Sequence, residues 1–331
     1  MKYLVRLKPL KPYFFGSENS FSDDDIRKES RYFAKSLLFP QQTTIIGMLR
    51  REILRKNNIM TIHKKGEWAD VGKKDKEDTP TYKEAVRLAG KGDVFSGNLG
   101  IINSISEIFL LNKDEFIFKS EKDRYIKNIS KTDIDVSLNG EIRKFINFNI
   151  DSKKGIKENF VSTLKSYEFD DIFKNSISVG IKIDTKENGF YQKESFILKD
   201  DFEFGFILDL DESIDLSGIV EIGGDNSLFH LKLEEYKEIE YSFIKKEIDR
   251  FIILSDTLLD KTIMKYVDFI LGDSYLIRTI KRGKNKTKRQ KVLKAGSVIY
   301  PNDIKKVEEL LNDFNLQKIG MNKFKKEIKN V

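Results

Sequence analysis

The most concentrated charge in the sequence lies between residues 278 and 294. This stretch holds nine basic side chains and no acidic one. The whole chain has 60 Lys and Arg against 53 Asp and Glu, so without this stretch the balance would be 51 against 53. Such a run attracts a polyanion. The basic residues predicted to bind it are Arg278, Lys281, Arg282, Lys284, Lys286, Lys288 and Arg289. Lys291 and Lys294 complete the nine.

A β-hairpin is predicted around this basic stretch. Residues 275–281 and 291–300 have the composition of strands, and the sequence RGKNKTKRQ between them would form the tip. The alternative is a solvated loop, because runs of like charge repel one another and often stay disordered without a partner.

A glycine pair, Gly223-Gly224, lies between two predicted strands and precedes Asp225. Glycine reaches positive φ at little steric cost, and its backbone can approach a ligand closely. Exposed N–H groups in such a turn can bind a phosphate or a base edge. These glycines are therefore candidate RNA-binding residues, with an ordinary tight turn as the alternative.

A third candidate lies in the amphipathic segment 42–56, which is predicted to be a helix. Gly47 within a helix costs about 1 kcal/mol relative to alanine, so close contact with a sheet or an RNA backbone would explain it. Arg50 and Arg51 are adjacent, about 100° apart around a helix, and only one of them can aim squarely at a phosphate. The alternative is that both are solvated or paired with acids such as Glu52.

An enzymatic interpretation depends on the two histidines, His63 and His230, since a histidine can act as general acid or base in RNA cleavage. The chain has no cysteine, so disulfides, thiolate metal sites and cysteine nucleophiles are excluded. Neither histidine has a partner at metalloprotease spacing, and Asp209 with Asp211 is the one acidic pair worth testing for a metal. We expect no cofactor and no metal.

Stacking on bases is a further possibility for a few aromatic side chains, although the chain's 25 phenylalanines mostly build core. The candidates are Phe14, Phe15, Tyr32 and Phe33.

No apolar stretch is long enough to span a membrane and the N-terminus lacks a signal-peptide core, so a cytoplasmic protein is expected.

The order of predicted elements indicates an α+β fold. In the first half we predict a strand at 2–8, the helix at 42–56, an exposed charged insertion at 64–93, strands at 101–108 and 115–119, and a helix at 156–167. In the second half we predict strands at 177–184, 190–198, 202–210, 218–224 and 227–233, a helical stretch near 257–270, the basic hairpin, and a helix at 302–314 capped by Asn302 or Asp303. Two domains are predicted, 1–170 and 171–331, each an antiparallel sheet with helices on one face.

Three stretches of the sequence carry a family resemblance. They are PLKPYFFG (9–16), FPQQTTIIGMLRREIL (39–54), and EIGGDNSLF (221–229) together with AGSVIYP (295–301). In this order they resemble the repeat-associated (RAMP) proteins of CRISPR effector complexes, in particular the third subunit of the type III-B Cmr module. The fourth subunit of the type III-A Csm complex is similar and stays an alternative.

The resemblance implies two ferredoxin-like, RRM-like domains and a non-catalytic role. It implies three partners, namely the 5′ repeat-derived handle of the guide RNA, the large polymerase-like subunit and the backbone RAMP subunit, for a chain that is monomeric outside the complex. In this superfamily a glycine-rich loop contacts RNA, which supports Gly223 and Gly224. Two other hypotheses stay open: a RAMP endoribonuclease that processes precursor guide RNA through His63 or His230, and a basic structural protein that touches only protein partners.

Overall fold

The structure is a computed structural model. It describes residues 1–16, 20–22, 31–59, 80–122, 134–138, 141–145, 159–162, 164–183, 188–223, 225–236, 249–277 and 290–327.

Strands dominate the described residues. In the first half they are β1 (Lys2–Pro9), β2 (Phe15–Gly16), β3 (Ser20–Ser22), β4 (Arg31–Leu37), β5 (Ile102–Ile105), β6 (Phe109–Asn112), β7 (Glu115–Lys119), β8 (Ile134–Leu138), β9 (Glu141–Phe145), β10 (Asn159–Val161) and β11 (Ser166–Glu168). In the second half they are β12 (Phe173–Ile183), β13 (Asn188–Leu198), β14 (Phe202–Leu210), β15 (Gly218–Ile222), β16 (Ser227–Glu235), β17 (Arg250–Ile253), β18 (Thr257–Leu258), β19 (Val267–Leu271), β20 (Ser274–Ile277), β21 (Gln290–Leu293), β22 (Val298–Pro301) and β23 (Phe324–Glu327).

Helices are few in the described part of the chain. They are α1 (Gln42–Lys56), α2 (Pro80–Ala89), α3 (Phe169–Ile172), α4 (Ile304–Leu311) and α5 (Phe314–Lys318), with short 3-10 turns at Val94–Ser96 and Lys261–Lys265. The predicted cap of the late helix is confirmed, because the Asp303 side chain accepts a hydrogen bond from the Lys306 N–H.

The largest sheet is antiparallel and runs in the order β11-β10-β7-β6-β14-β1-β16-β15, with β5 also paired to β14. The first strand of the chain lies near its middle, between β14 and β16. Val5 and Leu7 are fully buried on one face of β1, as their alternation predicts, while Leu4 is buried on the other. Apolar side chains on both faces suit a strand that is covered on both sides.

Helix α1 packs its apolar side into the same core. Ile45, Ile46, Leu49 and Ile53 are fully buried there, which confirms the helix predicted from their spacing. An aromatic cluster fills the centre of this core, and it consists of Tyr13, Phe15, Phe204 and Phe229.

The remaining sheets are smaller. A five-stranded sheet runs β12-β13-β4-β2 with β3 beside β4, a four-stranded sheet runs β19-β22-β17-β23, and β18-β21-β20 and β8-β9 form two further sheets. The four-stranded sheet has a core of its own around Phe251, Ile299 and Val307. Strands β13 and β4 pair in parallel, whereas the other strand pairs among the described residues are antiparallel.

The mixed class with mostly antiparallel sheets is confirmed, and its finer division into two ferredoxin-like domains stays a prediction. The largest sheet combines β1 from the first half with β14, β15 and β16 from the second. The predicted boundary near residue 170 therefore falls between strands that share one sheet.

Three predicted elements are wrong. The helix at 156–167 is a tight hairpin of β10 and β11, because the Ser162 hydroxyl accepts the N–H groups of Leu164 and Lys165 and organises a turn. The helical stretch near 257–270 contains only one 3-10 turn, capped by Asp260, between two strands. Within the insertion at 64–93, residues 80–89 form the packed helix α2; the segment 60–79 lies outside the described residues.

Helix α2 follows signals that are present in the sequence. It begins at Pro80, a residue whose fixed φ suits the first helical position. Its buried side chains, Tyr82, Ala85, Leu88 and Ala89, recur at helical spacing.

Among the helices of the described residues, none combines the length and the apolar character that a membrane span requires.

Gly205 gives a test of this core. A Cβ atom at this position in β14 would lie 2.6 Å from Cε2 of Phe109 and 2.7 Å from Cδ1 of Leu111, both on the neighbouring strand β6. We expect Gly205→Ala to lower the free energy of unfolding by about 1–3 kcal/mol through overpacking. Denaturant unfolding followed by circular dichroism measures this, and an unchanged midpoint would contradict the packing.

Candidate nucleic-acid interface

The basic hairpin is present, but its second arm is shorter than predicted: of the predicted strand 291–300, residues 298–300 belong to β22 in the four-stranded sheet. Strands β20 and β21 pair antiparallel, with Ser274 opposite Leu293 and Ile277 opposite Gln290. Ile277 and Val292 are buried in the main core, which anchors both arms. The connection 278–289 lies outside the described residues, and with it lie Arg278, Lys281, Arg282, Lys284, Lys286, Lys288 and Arg289.

The base of this hairpin is fixed by Asp256. Tyr275 on β20 donates its hydroxyl to Oδ2 of Asp256 at 2.5 Å, and Ala295 N, just beyond β21, donates to Oδ1 at 3.3 Å. Burial and the adjacent Asp256 carboxylate raise the pKa of Tyr275 well above its ordinary value, so its hydroxyl remains a donor. One carboxylate thus holds both ends of the segment that carries the basic run.

Gly47 lies on the exposed side of α1. A Cβ atom built there would meet nothing within 4 Å among the described residues, so contact with a sheet does not explain this glycine. The helix surface is therefore open at this position. Of the two explanations predicted for a glycine at this position, close approach of an RNA backbone is the one that remains.

Arg50 turns from α1 toward the loop that follows α2. Its guanidinium donates to the backbone oxygen of Asn98 at 2.6 Å and to that of Gly92 at 3.4 Å. Burial lowers the pKa of Arg50, an effect that the nearby Asp93 carboxylate opposes, and the side chain stays charged at neutral pH. Its Nε is buried and has no acceptor among the described residues.

Arg51 points the other way, toward β15. It donates to the backbone oxygen of Glu221 at 2.5 Å and lies 3.3 Å from the carboxylates of both Glu221 and Glu52. The divergence of the two arginines is confirmed, and the pairing with Glu52 that the sequence left as an alternative is present. Arg51 thereby ties α1 to the strand that leads into the glycine turn.

Gly223 adopts a φ of +80° in the turn between β15 and β16, a conformation that favours glycine. A Cβ atom added to it would lie 3.5 Å from the backbone oxygen of Phe14, so the stretches 9–16 and 221–229 adjoin in space. Lys193 forms an ion pair with Asp225 of this turn, and its Nζ lies 4.7 Å from the centroid of the Phe14 ring. Gly224 lies outside the described residues.

Of the aromatic candidates, Phe15 is buried in the core and Phe14 is partly covered by Lys193. The side chains of Tyr32 and Phe33 lie outside the described part of the structure. The contact of Lys193 with the glycine turn was missed in the sequence, because it joins residues on separate strands.

The catalytic and metal candidates are placed as follows. His230 is exposed on β16, opposite Lys8 of β1 and Ile219 of β15, and His63 lies outside the described residues. Asp209 binds the amino terminus at 3.2 Å, and Asp211 accepts a hydrogen bond from Asn103 at 2.6 Å. Among the described residues no group of His, Asp and Glu side chains is arranged to hold a metal.

Comparison with known proteins supports the family resemblance. Residues 5–92, which include Gly47, Arg50 and Arg51, match the model of a CRISPR-associated protein family, Cas_Cmr3. A chain in the cryo-EM structure of the type III-B Cmr-beta bound to cognate target RNA has a similar fold, with a TM-score of 0.53, 18% identity, and coverage of 97% of this chain and 96% of that chain. This chain resembles Cmr3.

A second cryo-EM structure of the type III-B Cmr-beta, bound to cognate target RNA and AMPPnP, contains a chain with a TM-score of 0.50 and 17% identity, covering 97% of this chain and 95% of that chain. No curated protein sequence matches. The predicted resemblance to a RAMP-type subunit of type III effector complexes is confirmed.

The open surface around Gly47 yields a prediction opposite in sign to that for Gly205. Gly47→Ala adds a side chain in empty space and removes the entropic cost of glycine in a helix, so the free energy of unfolding should rise by about 0.5–1 kcal/mol. Denaturant unfolding measures the change. A destabilised Gly47→Ala protein would show that the glycine serves internal packing instead.

Proposed function

We propose that the chain is a non-catalytic subunit of a cytoplasmic type III CRISPR effector that binds the 5′ repeat-derived handle of the guide RNA in antiviral defence. It bridges the large polymerase-like subunit and the backbone RAMP subunit, with type III-B favoured over type III-A. The observation that carries this proposal is the match of residues 5–92 to Cas_Cmr3, supported by similarity of the whole fold to a Cmr-beta chain. That comparison structure is bound to cognate target RNA, in agreement with RNA as a partner.

The charge distribution supports RNA as the ligand. The two arms at 274–277 and 290–293 are paired and anchored, and the sequence that joins them carries seven basic residues and no acidic one. A stretch held at both ends loses less conformational entropy on binding than a free chain does. The hairpin can thus offer its charges to a phosphate backbone at reduced entropic cost.

The absence of catalysis is part of the proposal. The cross-strand neighbours of His230 are Lys8 and Ile219, and neither is a carboxylate or a second histidine that could share acid–base work with it. Asp209 and Asp211 are already bonded to other groups of the chain. An assembly role fits these contacts better than a reaction centre does.

The experiment that tests the RNA role is charge reversal of Lys284, Lys286 and Lys288 to Glu in the full chain, coexpressed with the large subunit and the backbone RAMP subunit. We expect the complex to assemble and the RNA that copurifies with it to fall sharply. For the wild-type chain, contact with five phosphates would give a slope of log affinity against log salt near −3.5. RNA retention unchanged by the reversal would favour a subunit that touches only proteins.

A second measurement separates binding from cleavage. Labelled repeat RNA incubated with the purified chain should remain intact, and His230→Ala should leave RNA retention by the assembled complex unchanged because the exposed His230 side chain lies between Lys8 and Ile219, away from the basic hairpin. Repeat RNA that is cut by the wild-type chain, but not by His63→Ala or His230→Ala, would replace the binding subunit with an endoribonuclease.

A further inference from the structure

A cleft of about 680 Å³ lies at the root of the basic hairpin, where three sheets meet. Its walls come from the end of β4, from β7 and β10, from α3 with the β12–β13 pair, and from Asp256, Ser274, Tyr275 and Lys294 beside the hairpin. The volume falls within the range of about 300–1,000 Å³ that is usual for ligand sites. Gly47, Arg50, Arg51 and Gly223 lie outside this cleft, so it is a separate feature.

Three lysines from distant parts of the chain line the cleft: Lys35, Lys119 and Lys294. The Nζ of Lys119 lies 4.6 Å from the centroid of the Phe39 ring, which also lines the cleft. A lysine offers a compact positive charge with three donors, the usual partner of a phosphate oxygen.

The wall beside Lys119 carries an unused acceptor. Asn159 is joined to this region by its backbone oxygen, which accepts the N–H of Ser120 at 2.9 Å. Its side-chain Oδ1 is buried and has no hydrogen-bond partner among the described residues. A buried acceptor without a donor costs free energy, and an amide that gains both a donor and an acceptor on a base edge removes this cost.

The other walls suit a nucleobase better than a string of phosphates. The carboxylates of Glu168, Glu194 and Asp256 line the cleft and would repel a polyphosphate, whereas they can accept hydrogen bonds from base amino groups. Phe169 contributes a half-buried aromatic ring that is stacked on Phe173, with centroids 5.5 Å apart. An aromatic ring of this kind gives a base a surface to stack on.

We propose that this cleft binds one unstacked nucleotide, with its phosphate beside Lys119 and its base edge at Asn159. The nucleotide can belong to an RNA strand that follows the basic hairpin, or it can be a free mononucleotide. The first source rests on the proposed function, because it requires the chain to hold RNA. Tyr275 and Lys294 place the cleft directly beside the two arms from which the basic connection starts.

The test uses the full chain and its Lys119→Gln and Asn159→Leu variants. The first probe is a labelled single-stranded RNA that carries one abasic position, moved along the strand in a series. The second probe is unlabelled AMP or CMP added as a competitor. We expect each variant to weaken RNA affinity about tenfold, and Lys119→Gln to make the salt slope shallower by about 0.7 because one phosphate contact is lost. One abasic position should weaken wild-type binding and have no further effect on Asn159→Leu.

Lys165→Gln is the matched control. Its Nζ lies 4.5 Å from the centroid of the Tyr167 ring, so it loses the same kind of cation–ring contact, and Lys165 lies outside the cleft. RNA affinity should be unchanged in this variant. Melting temperatures of the three variants identify any loss that results from unfolding, and Lys119→Arg restores binding if the charge alone is required.

The outcomes separate the two proposals. If RNA binds, neither the variants nor any abasic position alters its affinity, and neither AMP nor CMP binds the chain, the cleft proposal is overturned while the proposed function stands. If the chain and its assembled complex retain no RNA, the proposed function fails. In that case, direct binding of AMP or CMP to the chain without RNA, lost in Lys119→Gln, still supports the cleft. Absence of both RNA and mononucleotide binding overturns both.

Discussion

The pairing of β1 in the middle of the largest sheet is the constraint on which the other features depend. Lys2 lies opposite Asp209, and Tyr3 lies opposite Glu235, so the first strand of the chain pairs with strands about 200 residues later. Such non-local pairing has a high cost in loop-closure entropy and is repaid only when the whole sheet forms. Strand β15, which leads to Gly223, joins this sheet through β16. Helix α1, which carries Arg50 and Arg51, packs into the same core as Val5 and Leu7 of β1. The positions of the glycine turn and of α1 therefore both depend on this long-range pairing.

Helix α1 also closes an edge of that sheet. Strand β15 is the last in the strand order. Arg51 of α1 donates to the backbone oxygen of Glu221 in this strand at 2.5 Å. Lys56 of α1 donates to the backbone oxygen of Ser217, the residue just before the strand, at 3.1 Å. An exposed strand edge invites unwanted pairing, and charged side chains across it reduce that risk. Arg51 and Lys56 of α1 thus have a structural role within the fold. Gly47 of the same helix has open space around it and makes no comparable contact with the sheet.

Local patterns in the sequence were enough to predict several elements. The strand at 202–210 and the helix predicted from the spacing of Ile45, Leu49 and Ile53 are both observed, because each pattern reflects which residues a single element buries. The hairpin was found by its charge and flanking strands, although its second arm was predicted too long. The hairpin of β10 and β11 was mistaken for a helix because its turn depends on one serine hydroxyl, which leaves no periodic signal. Local analysis could not predict the contacts of Arg50 with Asn98 and of Arg51 with Glu221, since these residues are far apart in the chain. The same holds for the convergence of Lys35, Lys119 and Lys294 on one cleft.

Electrostatics distinguish the two sides of β13. Lys193 faces the Gly223 turn and the adjacent Glu194 lines the cleft, and successive side chains of a strand point to opposite faces. On the turn side, the cations of Lys193 and Arg51 are already paired with Asp225 and Glu221. On the cleft side, Asp256 fixes both arms of the hairpin that carries the chain's net positive charge. The excess positive charge of the chain therefore lies at the hairpin, whereas the cations beside the glycine turn are neutralised by neighbouring carboxylates.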